Sequence, residues 1–161
     1  MKISLFLKVS LLCATACFSL VAKEPEQKEA RFDTSLKTLI EGNERYVNDT
    51  PLCEDQFKQK RETMISKQRP LAAIVGCSDS RVPPEIVFDQ SLGDLFVVRV
   101  AGNVVGPIEM DSIEFSADKL HTPLIVVLGH EGCAAVKAVL EGKIVEEEIV
   151  HIAPFIQPAV D

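Results

Sequence analysis

Three short apolar runs constrain this chain more than any other feature: Leu71–Val75, Leu95–Val100 and Leu124–Leu128. Each has strand length, and β-branched residues dominate the last two. The first is continuous rather than alternating, the pattern of a strand covered on both faces of a parallel sheet. Helical stretches follow each of them. Pro83-Pro84 opens a short turn of helix carrying Ile86, Val87 and Phe88. Ile108 to Leu120 has helical spacing with Ile113 and Phe115 expected inward, and Cys133 to Leu140 leads away from the third run until Gly142. Strand, helix, strand, helix, strand, helix is the βαβ pattern, which gives parallel strands through right-handed crossovers. The expected fold class is therefore α/β: a parallel-sheet core with flanking helices, preceded by a helical N-terminal arm. At 161 residues the chain holds one such domain and not two. Three strands are few for a sheet of this kind, and the chain stops soon after its last helix has begun at Glu146. The expectation is a missing C-terminal part or reliance on a partner chain.

Two of the runs stop at a glycine and are followed at once by a polar cluster, Cys77-Ser78-Asp79-Ser80-Arg81 after Gly76 and His130-Glu131-Gly132-Cys133 after Gly129. Ligands and catalytic groups in open α/β sheets collect at the carboxyl ends of neighbouring strands. Cys77 lies 53 residues before His130 and reaches it only if the first and third strands are neighbours. His-x-x-Cys at the start of a helix places two ligands about one turn apart. Two thiolates and one imidazole form a soft three-ligand set suited to zinc, with the fourth tetrahedral position left for catalysis. Spacing alone also admits two buried structural cysteines beside a capping histidine. His121 and His151 have no thiol near them and read as surface or packing residues.

Asp79 and Arg81, two residues apart in a loop, can pair directly. Such a pair is either a surface salt bridge of little energetic worth or a carboxylate aimed at a metal-activated water and held by a guanidinium fork. Ser78 and Ser80 do not sit in a nucleophile elbow, and no second histidine is placed to serve as their base.

Residues 1–22 carry the marks of a secretory signal: Lys2 and Lys8 near the start, an apolar stretch through Leu11, Leu12, Phe18, Leu20 and Val21, and small Ala22 at the expected cleavage point. Export to the periplasm or medium follows, with no membrane association after cleavage. Cys17 leaves a lipoprotein anchor as a minor alternative. Removing these residues takes away two lysines and no acid, so the formal charge moves from −7 to −9. A chain this acidic is a poor nucleic-acid ligand, since phosphate contacts need basic patches. Five cysteines fall to three, Cys53, Cys77 and Cys133, an odd count that is no disulfide framework. In an oxidising compartment a bound metal would protect the two at the sheet edge. Residues 23–34 are charged and apolar-poor, and a flexible lead-in is expected there. A helix from Phe32 to Val47 follows, capped at Asp33 or Thr34, with Leu36, Leu39, Ile40 and Tyr46 on one face. A second, highly charged helix is expected from Cys53 to Lys67, striped by Phe57, Met64 and Ile65, with Cys53 a structural thiol. Residues 35–161 are expected to form a single zinc-binding α/β domain.

Cys-Ser-Asp-Ser-Arg at 77–81 with Val82-Pro83-Pro84, then Arg99-Val-Ala-Gly-Asn103, then Gly129-His130 through Cys133, closely resembles the β-class carbonic anhydrases. Gly42-Asn43-x-Arg45-Tyr46 is similar to that family's N-terminal helix. The resemblance runs from about Leu36 to the end. It implies zinc held by Cys77, His130 and Cys133, with water or hydroxide in the fourth position. In a resting form the aspartate matching Asp79 takes that position instead, and otherwise pairs with the arginine matching Arg81. It implies the reversible hydration of carbon dioxide to bicarbonate and a proton. Homodimers or higher assemblies, with N-terminal helices embracing the neighbouring subunit, are implied as well. The chain departs from the family at Ala134, where glycine is usual, and in stopping before the further helix and last strand that members carry. Apolar Val82, Val100, Val104 and Val105 are candidates for a carbon dioxide pocket. Two rival readings stand beside this one: an inactive zinc-binding remnant of the same family, and a thiol redox protein using Cys77 and Cys133.

Overall fold

The computed structural model describes residues 23–52, 57–142 and 149–161. The expected leader with Cys17, the lone Cys53 and the expected helix start at Glu146 lie outside the described residues.

Three strands, β1 (Ala72–Gly76), β2 (Leu95–Arg99) and β3 (Ile125–Leu128), form one parallel sheet in the order β2-β1-β3. Ile74 is level with Val97 on one side and Val126 on the other, and Gly76 with Arg99 and Leu128. Every residue of β1 is buried, as its unbroken apolar run requires. β3 is covered by a neighbour on one side only among the described residues, and Ile125 and Val127 on one of its faces are exposed. The register has a direct consequence for function. It brings the residues after Gly76, Arg99 and Leu128 to a single edge of the sheet.

Helix α1 (Lys23–Val47) enters first. Residues 23–34, expected as a flexible lead-in, are helical, and Glu26 to Thr34 are exposed. The low apolar content removes burial but not helix propensity, which is high for Glu, Gln, Lys and Ala. Thr34 does not cap the helix; its hydroxyl donates back to the Ala30 carbonyl at 2.7 Å, as a threonine inside a helix does. Beyond Ser35, Leu39 is buried in the main core with Ala72, Ile74 and Leu124. Leu36, Ile40 and Tyr46 stay exposed, leaving an apolar stripe along the helix.

Gly42 lets α1 approach the segment that follows helix α3 (Pro84–Val87). A methyl group at Gly42 would lie 1.8 Å from the Phe88 carbonyl oxygen. Next to it Asn43 Nδ2 donates to the Val87 carbonyl at 3.0 Å, and Arg45 pairs with Asp89, whose side chain is buried. Asp89 also accepts the Leu52 N–H at 3.0 Å. The glycine and asparagine that interrupt the helical pattern are thus the docking surface of the helix.

Helix α2 (Phe57–Thr63) ends four residues short of the expected Lys67, and Ile65 lies beyond it, exposed. Met64 instead packs over Gly93, and Lys60 is ion-paired with Asp94 at 2.9 Å. In helix α4 (Pro107–Asp118), Phe115 points outward against expectation, and the buried residue is Ser116, whose hydroxyl meets that of Thr122 at 2.7 Å. Helix α5 (Ala134–Leu140) and helix α6 (Ala153–Val160) build a second core from Val139, Ala153 and Ile156, flanked by Val104, Ala135 and Val136. The last helix begins at Ala153, with Pro154 in its first turn, where a missing N–H costs nothing.

Candidate metal centre

Cys77 directly follows β1, while His130 and Cys133 follow β3, its hydrogen-bonded neighbour. The two thiol sulfurs lie 3.9 Å apart, and one ligand atom from each of the three residues lies within 4.8 Å of the others. Cys77 is buried and Cys133 half-buried. The second and third groups are brought together by a turn rather than by a helical turn. Gly132 takes φ +65°, and the helix begins only at Ala134, with Cys133 as its N-cap. Ala134, at the position where the family usually has glycine, is exposed and is the first residue of the helix.

His130 is oriented by its own backbone. Its Nδ1 lies 3.0 Å from the Glu131 carbonyl, an acceptor, so that nitrogen carries the proton. Nε2 then keeps its lone pair; it is buried and has no hydrogen-bond partner. A buried, unpartnered imidazole nitrogen facing two thiols is costly unless something binds it. A soft divalent cation meets that need, and the donor set matches zinc.

Asp79 and Arg81 meet at the mouth of the site. Arg81 Nε and Nη2 donate to the two carboxylate oxygens at 2.9 and 2.7 Å, and its backbone N–H donates to Oδ1 at 2.9 Å. Arg81 Nη2 is also 3.3 Å from the Gly132 carbonyl, tying this loop to the one bearing Cys133. Asp79 Oδ2 is 3.9 Å from His130 Nε2. These hydrogen bonds from Arg81 hold the Asp79 carboxyl far below the usual carboxylate range, and Asp79 raises Arg81 in return. Burial pushes the Cys77 thiol up. Hydrogen bonds to the sulfur, with that from the Asp79 backbone N–H the largest and that from the Gly102 backbone N–H among them, outweigh it and bring the thiol from 9.0 down to about 7.

Arg99 and Gly102 belong to this site although spacing assigned neither a role. From the end of β2, Arg99 Nε donates to the Cys77 carbonyl at 2.7 Å and Nη2 to the Asp79 carbonyl. Gly102 sits at φ +72° in the short 3-10 turn Ala101–Asn103, a conformation a side chain disfavours. A methyl group there would also lie 2.6 Å from Ile156 Cδ1, so the second core presses directly on a residue whose N–H faces Cys77. The signal was the Arg-Val-Ala-Gly-Asn run, whose arginine ends an otherwise apolar strand. Val82, Val100, Val104 and Val105 are half-buried. A cavity of about 610 Å³ is elsewhere, lined by Tyr46, Ile86, Asp89 and Leu92 among others. His121 and His151 are exposed and take no part in the cluster.

A family model described as carbonic anhydrase matches residues 72–161, which include all three strands and the Cys77, His130 and Cys133 cluster. The chain is 44% identical over 128 residues to a carbonic anhydrase of Mycolicibacterium smegmatis, covering 77% of this chain and 62% of that protein. It is 51% identical over 104 residues to carbonic anhydrase 2 of Mycobacterium tuberculosis, covering 65% and 50%. The chain therefore spans between half and two thirds of the length of these relatives. Among solved structures it is similar to the β-carbonic anhydrase CcaA, with a TM-score of 0.52 at 28% identity over 78% of this chain and 60% of that one. The β-carbonic anhydrase CafA of Aspergillus fumigatus gives a TM-score of 0.52 at 26% identity over 76% and 57%. Parallel sheet, strand-end cluster and family match agree: the chain belongs to the β-carbonic anhydrase family.

Proposed function

We propose that this chain catalyses the reversible hydration of carbon dioxide to bicarbonate and a proton, with zinc held by Cys77, His130 and Cys133. The observation that carries the reading is the convergence of the three ligand atoms within 4.8 Å around a buried His130 Nε2 that has no hydrogen-bond partner. The Glu131 carbonyl holds the histidine in the tautomer that presents Nε2, the usual task of a residue behind a metal-ligating imidazole. Zinc, when bound, supplies a Lewis acid that makes a water acidic near neutral pH, as in carbonic anhydrases that bind it through three histidines. Two thiolates bring more negative charge than three imidazoles do and weaken that effect; the nearby Arg81 guanidinium opposes them.

Asp79 is the acceptor in this scheme. Kept ionised by Arg81, it takes a hydrogen bond from the attacking water and aims the oxygen lone pair at carbon dioxide. Both its oxygens are engaged by Arg81, which supports the paired form rather than one in which Asp79 serves as a fourth ligand.

The wider setting is part of the same proposal. The enzyme is exported as a soluble protein after loss of residues 1–22, and it works as a homodimer or larger homo-oligomer. The exposed Leu36, Ile40 and Tyr46 stripe on α1 supports the second point. No helix among the described residues is long and apolar enough to cross a membrane.

The test is zinc per chain on protein purified without added metal, followed by stopped-flow hydration of carbon dioxide. About one zinc with hydration above background is expected. Zinc without hydration would leave an inactive remnant. No zinc, with Cys77 and Cys133 oxidised together, would replace the proposal by a thiol redox protein.

A further inference from the structure

We infer that Arg99 is a positioning residue of the metal centre: by gripping the Cys77 and Asp79 carbonyls at once, it sets the backbone that presents both side chains. The inference rests on the zinc reading above and adds a residue that touches neither metal nor substrate.

The geometry is specific. Arg99 is the last residue of β2 and lies level with Gly76, the last residue of β1. Its planar guanidinium therefore faces the loop that leaves β1. Nε reaches the Cys77 carbonyl at 2.7 Å and Nη2 reaches the Asp79 carbonyl. A planar fork with two fixed donors suits two carbonyls on either side of one residue, Ser78, better than a point-like ammonium would. Ser78 N–H, on the peptide between Cys77 and Ser78, donates to the Val100 carbonyl at 3.3 Å, so Arg99 and the residue after it hold that peptide at both ends. With the two flanking carbonyls turned to Arg99, the intervening peptide turns the other way, and its Asp79 N–H faces the Cys77 sulfur. Asp79 is then fixed from two directions, its carbonyl by Arg99 and its carboxylate by Arg81. A charged guanidinium bonded to neutral carbonyls on an otherwise apolar strand has no comparable purpose in packing alone.

The experiment uses the full chain and its Arg99→Met and Arg99→Lys variants. Zinc affinity is measured by competition with a chromophoric chelator, and cobalt(II) loading is followed through its thiolate charge-transfer absorption. Methionine keeps the length and removes both donors. Lysine keeps the charge but has a point head in place of a fork. Arg99→Met should lose on the order of 10–100-fold in zinc affinity, the range for residues behind metal ligands, with a shifted cobalt band. Arg99→Lys should fall between it and the parent. Parental affinity and cobalt spectrum in both variants would overturn the inference, even if the urea midpoint drops, because that is what a purely structural arginine would do. Should Arg99→Met fail to fold, Arg99→Lys decides: parental values overturn the inference and weakened binding supports it. A parent chain that binds neither zinc nor cobalt would overturn the metal reading and this inference with it.

Discussion

Gly42→Ala sets helix propensity against packing, and the two disagree on the sign. Inside α1, alanine in place of glycine should stabilise by about 1 kcal/mol on propensity alone. The structure forbids that gain. The new methyl group would lie 1.8 Å from the Phe88 oxygen and 2.8 Å from its carbonyl carbon. Both are backbone atoms, held by the Phe88-to-Pro84 and Gln90-to-Glu85 hydrogen bonds at 2.9 and 2.8 Å, so no side-chain rotation relieves the clash. Helix and turn must part by roughly 1.5 Å to restore ordinary contact, an overpacking cost of about 1–3 kcal/mol. That movement also stretches the Asn43–Val87 hydrogen bond, worth about 1 kcal/mol, and disturbs the Arg45–Asp89 pair. Against the propensity gain, the net expectation is a loss of about 1–3 kcal/mol. Urea unfolding of the metal-free chain, followed by far-ultraviolet circular dichroism, reads this directly. With slopes of about 1–3 kcal/mol per molar urea, the midpoint should fall by roughly 1 M. A midpoint equal to or above the parent would refute the docking of α1 through Gly42.

Three further outcomes are expected. Cys133→Ala removes one of two thiolates and should lose most of the zinc; full zinc content and full activity would remove Cys133 from the ligand set. Asp79→Ala should keep the metal but lower carbon dioxide hydration by on the order of 10²-fold, the low end for a positioned acid–base group; an unchanged pH–rate profile would take Asp79 out of the mechanism. In metal-free protein, thiolate absorbance should titrate near pH 7 for Cys77 and not near 9.0. Because the folded value lies below the unfolded one, the unfolded chain binds more protons between them. Stability from this thiol is therefore complete above about 9 and lost as pH falls through about 7. A urea midpoint that did not rise across that interval would contradict the lowered value.

What could be read from residues alone was whatever depends on local pattern. The run Leu71–Val75 identifies a doubly covered strand because burial on both faces leaves no polar position. Gly76-Cys77 and Gly129-His130 mark strand ends because the apolar pattern stops there. Motif order then supplied the family, which the match over 72–161 shows. Local pattern failed where two effects share one composition. Residues 23–34 are poor in apolar groups yet helical, since propensity does not require burial. Periodicity points Phe115 inward, yet Ser116 occupies the buried position, where Thr122 offers its hydroxyl a partner.

Sequence by itself determined the strands, the parallel α/β class and the identities of Cys77, His130, Cys133, Asp79 and Arg81, because each is written in a short stretch of chain. Tertiary structure alone decided that β1 lies between β2 and β3, and therefore that residues 53 positions apart share one edge. It alone showed why Gly42 is glycine and what Arg99 holds. These are contacts between distant segments, set by register and by the close approach of one backbone to another, and no local pattern of residue types encodes a distance across a sheet.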